Sequence, residues 1–162
     1  MGSVQFGIPR ELALALKAKY GIGVFVETGT LVGHTAEWAS KHFNQVATTD
    51  VVVTDESRGR LMHLDNVEQC FDDSVFFLEC LSMRETILFW LDAHTNEECP
   101  VLREIAAINK SPIPHVILVD DARLFGDLPA WPAKGEVVWL LINGGKRTVL
   151  EVDDVLVAEP CP

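Results

Sequence analysis

The chain has 162 residues, 48% of them apolar, and its 13 basic against 24 acidic side chains leave a net charge of −11. That length suits one compact domain over residues 1–162 with a sizeable core, and the composition excludes a disordered chain. The negative charge opposes a nucleic-acid substrate, which needs clustered Lys and Arg, and no apolar run approaches the roughly 18 residues of a membrane span, so a soluble, cytoplasmic protein is expected.

"IPRELALALKAKYG" reads as a helix, with Pro9 in its first turn, Leu12 and Leu16 on one face and Gly21 at its end. "VFVE" (24–27) is a short buried strand, and "TAEWASKHF" (35–43) has helical spacing at Trp38, Ala39 and Phe43. "QVATTD" (45–50) is a second strand. Periodicity is weak over 51–66, where Arg60, Leu61, Met62 and Leu64 allow two turns of helix, and "VEQCF" (67–71) follows as a strand. "ILFWLD" (87–92) and "HVILVDD" (115–121) are continuous apolar runs ending in acid, the pattern of central parallel strands covered on both faces. Between them "PVLREIAAINKS" is a helix started by Pro100. "GEVVWLLING" and "RTVLEVDDVLV", joined through Asn143, Gly144 and Gly145, read as a terminal antiparallel hairpin.

This alternation predicts an α/β fold, a Rossmann-like doubly wound, mostly parallel sheet of seven strands with a C-terminal hairpin, whose ligands bind beyond the carboxyl ends of the strands. That rule gathers Glu27, Asp50, Asp73, Asp92, Asp120 and Asp121 on one rim. Carboxylates so crowded repel unless a cation or ligand hydroxyls compensate. Gly29 permits a tight turn after the first strand, Gly33 permits close backbone approach, and the helix beginning near Thr35 turns free N–H groups toward an anionic group. Asp50 stands where a ribose hydroxyl acceptor is expected. Asp92 and Asp120 equally suit a plainer role, ending strands and capping the helices that follow.

Cys70, Cys80, Cys99 and Cys161 lack C-x-x-C spacing and the five histidines form no H-x-x-x-H pair, so neither a zinc nor a redox site is indicated.

"VETGTLVGHTA" resembles the glycine-loop motif of class I S-adenosylmethionine-dependent methyltransferases, in the E-x-G-x-x-x-G-x-[S/T]-A form of catechol O-methyltransferase-type enzymes. Glu27, Gly29, Gly33, Thr35 and Ala36 carry the match, and "VATTD" and "FDDS" are similar to the family's ribose-binding strand end and adenine-facing turn. "LFWLDAH" and "HVILVDDARLF" look like the signatures of a bacterial methyltransferase-like group. The resemblance, over residues 22–126, implies a site for S-adenosyl-L-methionine at Glu27, Thr28, Gly29, Gly33, Thr35, Asp50, Asp73 and Ser74. It also implies Mg2+ at Asp92, Asp120 and Asp121, positions rich in hard oxygen donors. Methyl transfer to a hydroxyl of a small molecule is the activity implied, with Asp92 and His94 as catalytic candidates and His94 able to take the proton.

Departures from the family shape the alternatives. Asp72 replaces a glycine in the adenine turn, residues 51–66 leave little room for a helix, and one helix precedes the first strand where the family carries more. These favour a second reading, a non-catalytic binding or assembly module on the same scaffold; an NAD-linked oxidoreductase ranks last because the glycine spacing is not G-x-G-x-x-G. Apolar residues at Val138, Trp139 and Leu140 in the expected hairpin suggest a homodimer.

Overall fold

The computed structural model describes residues 7–95 and 97–161. Helix α1 (Arg10–Tyr20) ends at Gly21 in the left-handed conformation, and β1 (Val24–Thr28) follows. Next come α2 (His34–Ser40), β2 (Gln45–Asp50), α3 (Asp55–Leu61), β3 (Val67–Phe71), α4 (Ser74–Cys80) and β4 (Ile87–Leu91). The chain continues through α5 (Val101–Ile108), β5 (Val116–Val119), a short 3-10 turn at Ala122–Leu124, α6 (Lys134–Gly145), β6 (Arg147–Val152) and β7 (Val155–Pro160).

The strands form one sheet in the order β3-β2-β1-β4-β5-β7-β6. β1 to β5 run parallel, while β7 is antiparallel to both β5 and β6. The apolar runs of β4 and β5 are buried along their whole lengths, because each face of the sheet carries its own core. Phe25, Leu88, Trp90 and Leu118 pack with α1 and α2, and Val26, Phe89, Ile117 and Ile105 pack on the face of α4, α5 and α6. Chain order reverses between β1 and β4, so the topological switch point lies there.

The C-terminal hairpin is present, but its strands are not the expected ones. Residues 135–144 form α6 instead, with Val137 and Leu141, one helical turn apart, buried beneath it. The Glu136 carboxylate accepts the Ala133 N–H and fixes the start of this helix. A continuous apolar run such as "VVWLL" carries no period, and here the helix won. The real hairpin joins β6 to β7 through Asp153 and Asp154, both left-handed at φ 47 and 71, as a two-residue type I′ turn requires. Val138, Trp139 and Leu140 therefore lie on a helix, and Trp139 is exposed.

The two turns of helix that 51–66 allowed are α3, at Asp55–Leu61, which begins ahead of Arg60, Leu61, Met62 and Leu64, the residues that suggested them, with Thr54 accepting the Ser57 N–H as its cap. α4 follows β3 directly, capped by Asp73, whose carboxylate accepts from Val75 and Phe76 N–H.

Candidate functional site

The strand order sets the acids side by side along the carboxyl rim: Asp72 and Asp73 beyond β3, Asp50 on β2, Glu27 on β1, Asp92 beyond β4, Asp120 and Asp121 beyond β5. At the switch point two loops touch. Asp92 N–H donates to the Thr28 carbonyl at 3.1 Å, and a Cβ on Gly29 would stand 2.5 Å from the Asp92 carbonyl oxygen. Gly29 has φ +90 and gives its own N–H to the Thr49 carbonyl. No side chain fits there, so the first glycine of the loop is fixed by close packing. Gly33, at φ +82, is the left-handed residue leading into α2 and donates to the Thr30 carbonyl at 2.7 Å.

Glu27 is buried and accepts from Thr48 Oγ1 at 2.7 Å, and Thr48 in turn meets Thr30 Oγ1 at 2.6 Å. Burial pushes the Glu27 carboxyl up to about 8; Thr48 and Thr35 lower it, and the charges of Asp92 and Asp50 raise it further. At neutral pH this acid is largely protonated. A cation placed beside it would draw the proton off, because the ionised form then gains a partner.

Asp50 is held by the loops it faces: Leu31 N–H donates to Oδ2 at 2.8 Å and Val52 N–H to Oδ1 at 3.1 Å. Each carboxylate oxygen keeps acceptor capacity toward a ligand hydroxyl. Asp73 spends Oδ1 on capping α4, and Asp72 Oδ1 accepts the Asp73 N–H at 2.9 Å. Ser74 is buried at the first position of α4.

Across the switch point, Asp92, His94 and Asp121 offer ligand atoms that all lie within 4.8 Å of one another. His94 Nε2 stands 3.0 Å from Asp121 Oδ2 and 3.4 Å from Asp92 Oδ1. Burial works against a charge on His94, but Asp92, Asp121 and Asp120 outweigh it and hold the imidazole above its ordinary value. Burial raises the Asp92 carboxyl, with His94 opposing. Asp120 turns Oδ1 to the Asp121 N–H at 2.7 Å, and burial followed by the Asp92 charge pushes it up to about 7. Asp121 is left-handed at φ 54 and shares the Arg123 guanidinium with Asp154 of the hairpin turn. The closest metal-type constellation thus exchanges Asp120 for His94, which adjacent sequence positions alone could not order.

Two residues not singled out in the sequence complete the site. The Trp131 ring lies 4.6 Å from that of His94, and its Nε1–H donates to the Thr95 carbonyl at 2.9 Å, so it braces the loop after β4. Glu104, fully buried on α5, has neither carboxylate oxygen at hydrogen-bonding geometry. Burial pushes it up to about 7, with the hydroxyls of Ser74 and Thr28 partly offsetting the shift. Its signal was legible: Val101, Glu104, Ile105 and Ile108 share the buried stripe of α5, and an acid on an apolar stripe is anomalous. Cys99, pushed up to about 11 by burial, is an inert thiol.

Behind Asp92, His94 and Asp120 lies a cavity of about 10 Å3, room for one water. Larger clefts lie away from it, including one of about 540 Å3 beneath β1 and β2 near Gln45 and Glu85. Among the described residues no helix is long and apolar enough to cross a membrane.

No family model matches the chain, and no curated protein matches it. Solved structures do. A protein from Klebsiella pneumoniae assigned as an O-methyltransferase aligns at TM-score 0.72 and 16% identity, over 98% of this chain and 83% of its own. S-adenosylmethionine-bound CalS10, an amino pentose methyltransferase from Micromonospora echinaspora, aligns at TM-score 0.68 and 11% identity, over 94% and 89%. The 23S rRNA methyltransferase ErmE aligns at TM-score 0.61 and 14% identity, over 97% and 70%. These neighbours differ in acceptor and share an architecture, and the sheet order, the glycine loop and the C-terminal hairpin place this chain in the fold of the class I S-adenosylmethionine-dependent methyltransferases.

Proposed function

We propose that this protein binds S-adenosyl-L-methionine along the rim from Asp73 to Asp92 and transfers its methyl group to a hydroxyl of a small molecule. The observation that carries this reading is the close contact of Gly29 with Asp92, which joins the glycine loop to the acid beyond β4, while Glu27 and Asp50 lie on the adjacent strands β1 and β2. In the proposed complex, Asp50 accepts from the ribose hydroxyls and the Asp73–Ser74 turn borders the adenine. Glu27 and Asp92 supply negative charge beside the methionine ammonium and the sulfonium. The net charge of −11 favours a small acceptor over RNA.

Methyl transfer breaks the S–CH3 bond, whose electron pair stays on sulfur, forms O–CH3 on the acceptor, and releases the acceptor's proton. His94 Nε2, between Asp92 and Asp121, is the group placed to take that proton once neutral. The Trp131 ring packs against the imidazole, tilted 60° to it at 4.6 Å, and limits its movement. As an alternative to that proton transfer, the two carboxylates and the same imidazole fit a divalent cation, with Mn2+ tolerating the nitrogen donor better than Mg2+ does; an ion held there would occupy the lone pair that otherwise takes the proton. When bound, such an ion would lower the acceptor hydroxyl's pKa and orient it.

The second reading, a binding or assembly module without catalysis, draws support from the water-sized cavity behind the rim and from the backbone amides that already engage Asp50 and Asp73. A thermal-shift screen with S-adenosylmethionine, S-adenosylhomocysteine and NAD, each with and without Mg2+ or Mn2+, separates the readings. A shift with the two sulfur ligands alone supports methyl transfer. No shift with any of them favours the module, and a shift with NAD alone revives the oxidoreductase.

A further inference from the structure

Among the described residues the sheet ends in two edge strands, β3 and β6. Edge strands expose unpaired backbone groups and invite a second chain unless something repels it. Around β3 the sequence supplies repulsion: Asp65, Glu68, Asp72 and Asp73 are all acidic, and no Lys or Arg stands between Leu61 and Met83. Two copies brought together there face like charges.

β6 is built differently. It follows exposed Lys146, carries Glu151 near its end and leads into Asp153 and Asp154, while the Arg147 guanidinium is buried and held by the His115 carbonyl and Asn109, so the exposed charge changes sign from one end to the other. Its six residues pair with β7 in unbroken register, and it contains no proline, glycine or bulge. Leu150 and Val152 are exposed, at 61% and 39%. In a hairpin closed by a two-residue turn, the flanking residues, here Val152 and Val155, bond to each other, so alternate residues 152, 150 and 148 spend their amide and carbonyl on β7. The amides and carbonyls of Arg147, Val149 and Glu151 then point outward. Pro160 opposite Arg147 fits this phase, since a proline has no N–H to give.

We propose that β6 is a dimerisation edge, at which two copies of this chain pair antiparallel about a two-fold axis through Leu150. Residues directly opposite in a sheet share a face, which sets Leu150 against Leu150 of the second copy and Thr148 against its Val152. Val149 and Glu151 exchange about four main-chain hydrogen bonds across the axis. The exposed charges become complementary, as Lys146 meets Asp154 of the second copy. Asp154 already holds Arg123 beside Asp121. Each copy therefore delivers a lysine to the border of the other's acidic rim. The charge of −11 per copy opposes association, over a screening length of about 8 Å at physiological salt.

The test is sedimentation equilibrium of the full chain at physiological salt, with cross-linking to read the register. A dimer at high micromolar concentration is expected, weakened at least about tenfold by Val149→Pro, which removes an outward amide that an edge strand can spare. Leu150→Lys, at an exposed position, should weaken it similarly by setting two cations on the axis, and guards against misfolding of the proline variant. In a Cys80→Ser/Cys161→Ser background, Leu150→Cys should form a covalent dimer on oxidation, because residues facing across a non-hydrogen-bonded pair stand about 4.5 Å apart at Cα. Thr148→Cys should not. A monomer at these concentrations, a dimer that both β6 variants leave intact, or equal cross-linking at 148 and 150 would overturn the proposal.

Discussion

Gly29 and Asp92 meet backbone to backbone: a side chain on the glycine would stand 2.5 Å from the aspartate's carbonyl oxygen, and φ +90 already disfavours one. Gly29→Ala is expected to cost on the order of 2–4 kcal/mol, from the left-handed backbone and the displaced loop together. Gly21→Ala is the control, since Gly21 is also left-handed at φ +63 but faces open space, and it should cost about 1 kcal/mol. Urea unfolding checks both. Equal losses would mean that the contact with Asp92 adds nothing.

Glu104 predicts a pH dependence. Its carboxyl rises from 4.5 unfolded to about 7 folded, so its stabilising share is complete below pH 4.5 and is lost as pH climbs through 7. The loss is on the order of 3 kcal/mol by pH 8. Glu27 and Asp120, raised to about 8 and about 7, act in the same direction. Wild type should therefore unfold at lower urea at pH 8.5 than at pH 5.5. Glu104→Gln should flatten that difference, and a variant as steep as wild type would show the carboxyl to be partnered after all.

Much of this arrangement was legible in the sequence. β1, β4 and β5 could be read because each is an apolar run closed by an acid, and β2 because its Val46, Ala47 and two threonines lead to Asp50; the doubly wound topology then put those acids on one rim. The α6 segment could not be read the same way. "VVWLL" satisfies a buried strand or a buried helix, and only packing of Val137 and Leu141 against the sheet decided. The hairpin turn was masked by Asp153 and Asp154, aspartates in a conformation more often filled by Asn-Gly. His94 beside Asp121 joins two loops separated by a crossover helix, a proximity that no local pattern encodes.

The rim cluster predicts a metal effect. Mn2+ should raise the melting temperature, more strongly at pH 8 than at pH 5.5, where protons compete for the same oxygens. Asp92→Asn/Asp121→Asn should remove the effect and leave the fold intact. A neutralised variant more stable than wild type, with Mn2+ inert toward both, would mark the acids as a repulsive cluster without an ion.

His94 predicts the pH course of catalysis. Asp92, Asp121 and Asp120 hold its imidazole above the ordinary histidine value, so the base keeps its proton to higher pH than a free histidine does. Methyl transfer should rise with pH through that raised value, and His94→Ala should lower the rate about 10²- to 10⁴-fold. An unchanged rate and profile in the variant would assign the proton to another acceptor.

The most direct measurement is isothermal titration calorimetry with S-adenosylhomocysteine on wild type and on Asp50→Ala, with circular dichroism confirming that both are folded. One saturable site per chain is expected in wild type, lost in Asp50→Ala, because the carboxylate that Leu31 and Val52 hold in place is the proposed ribose acceptor. Absence of binding to folded wild type at millimolar ligand would contradict cofactor binding at this rim and leave the fold as a scaffold without the chemistry.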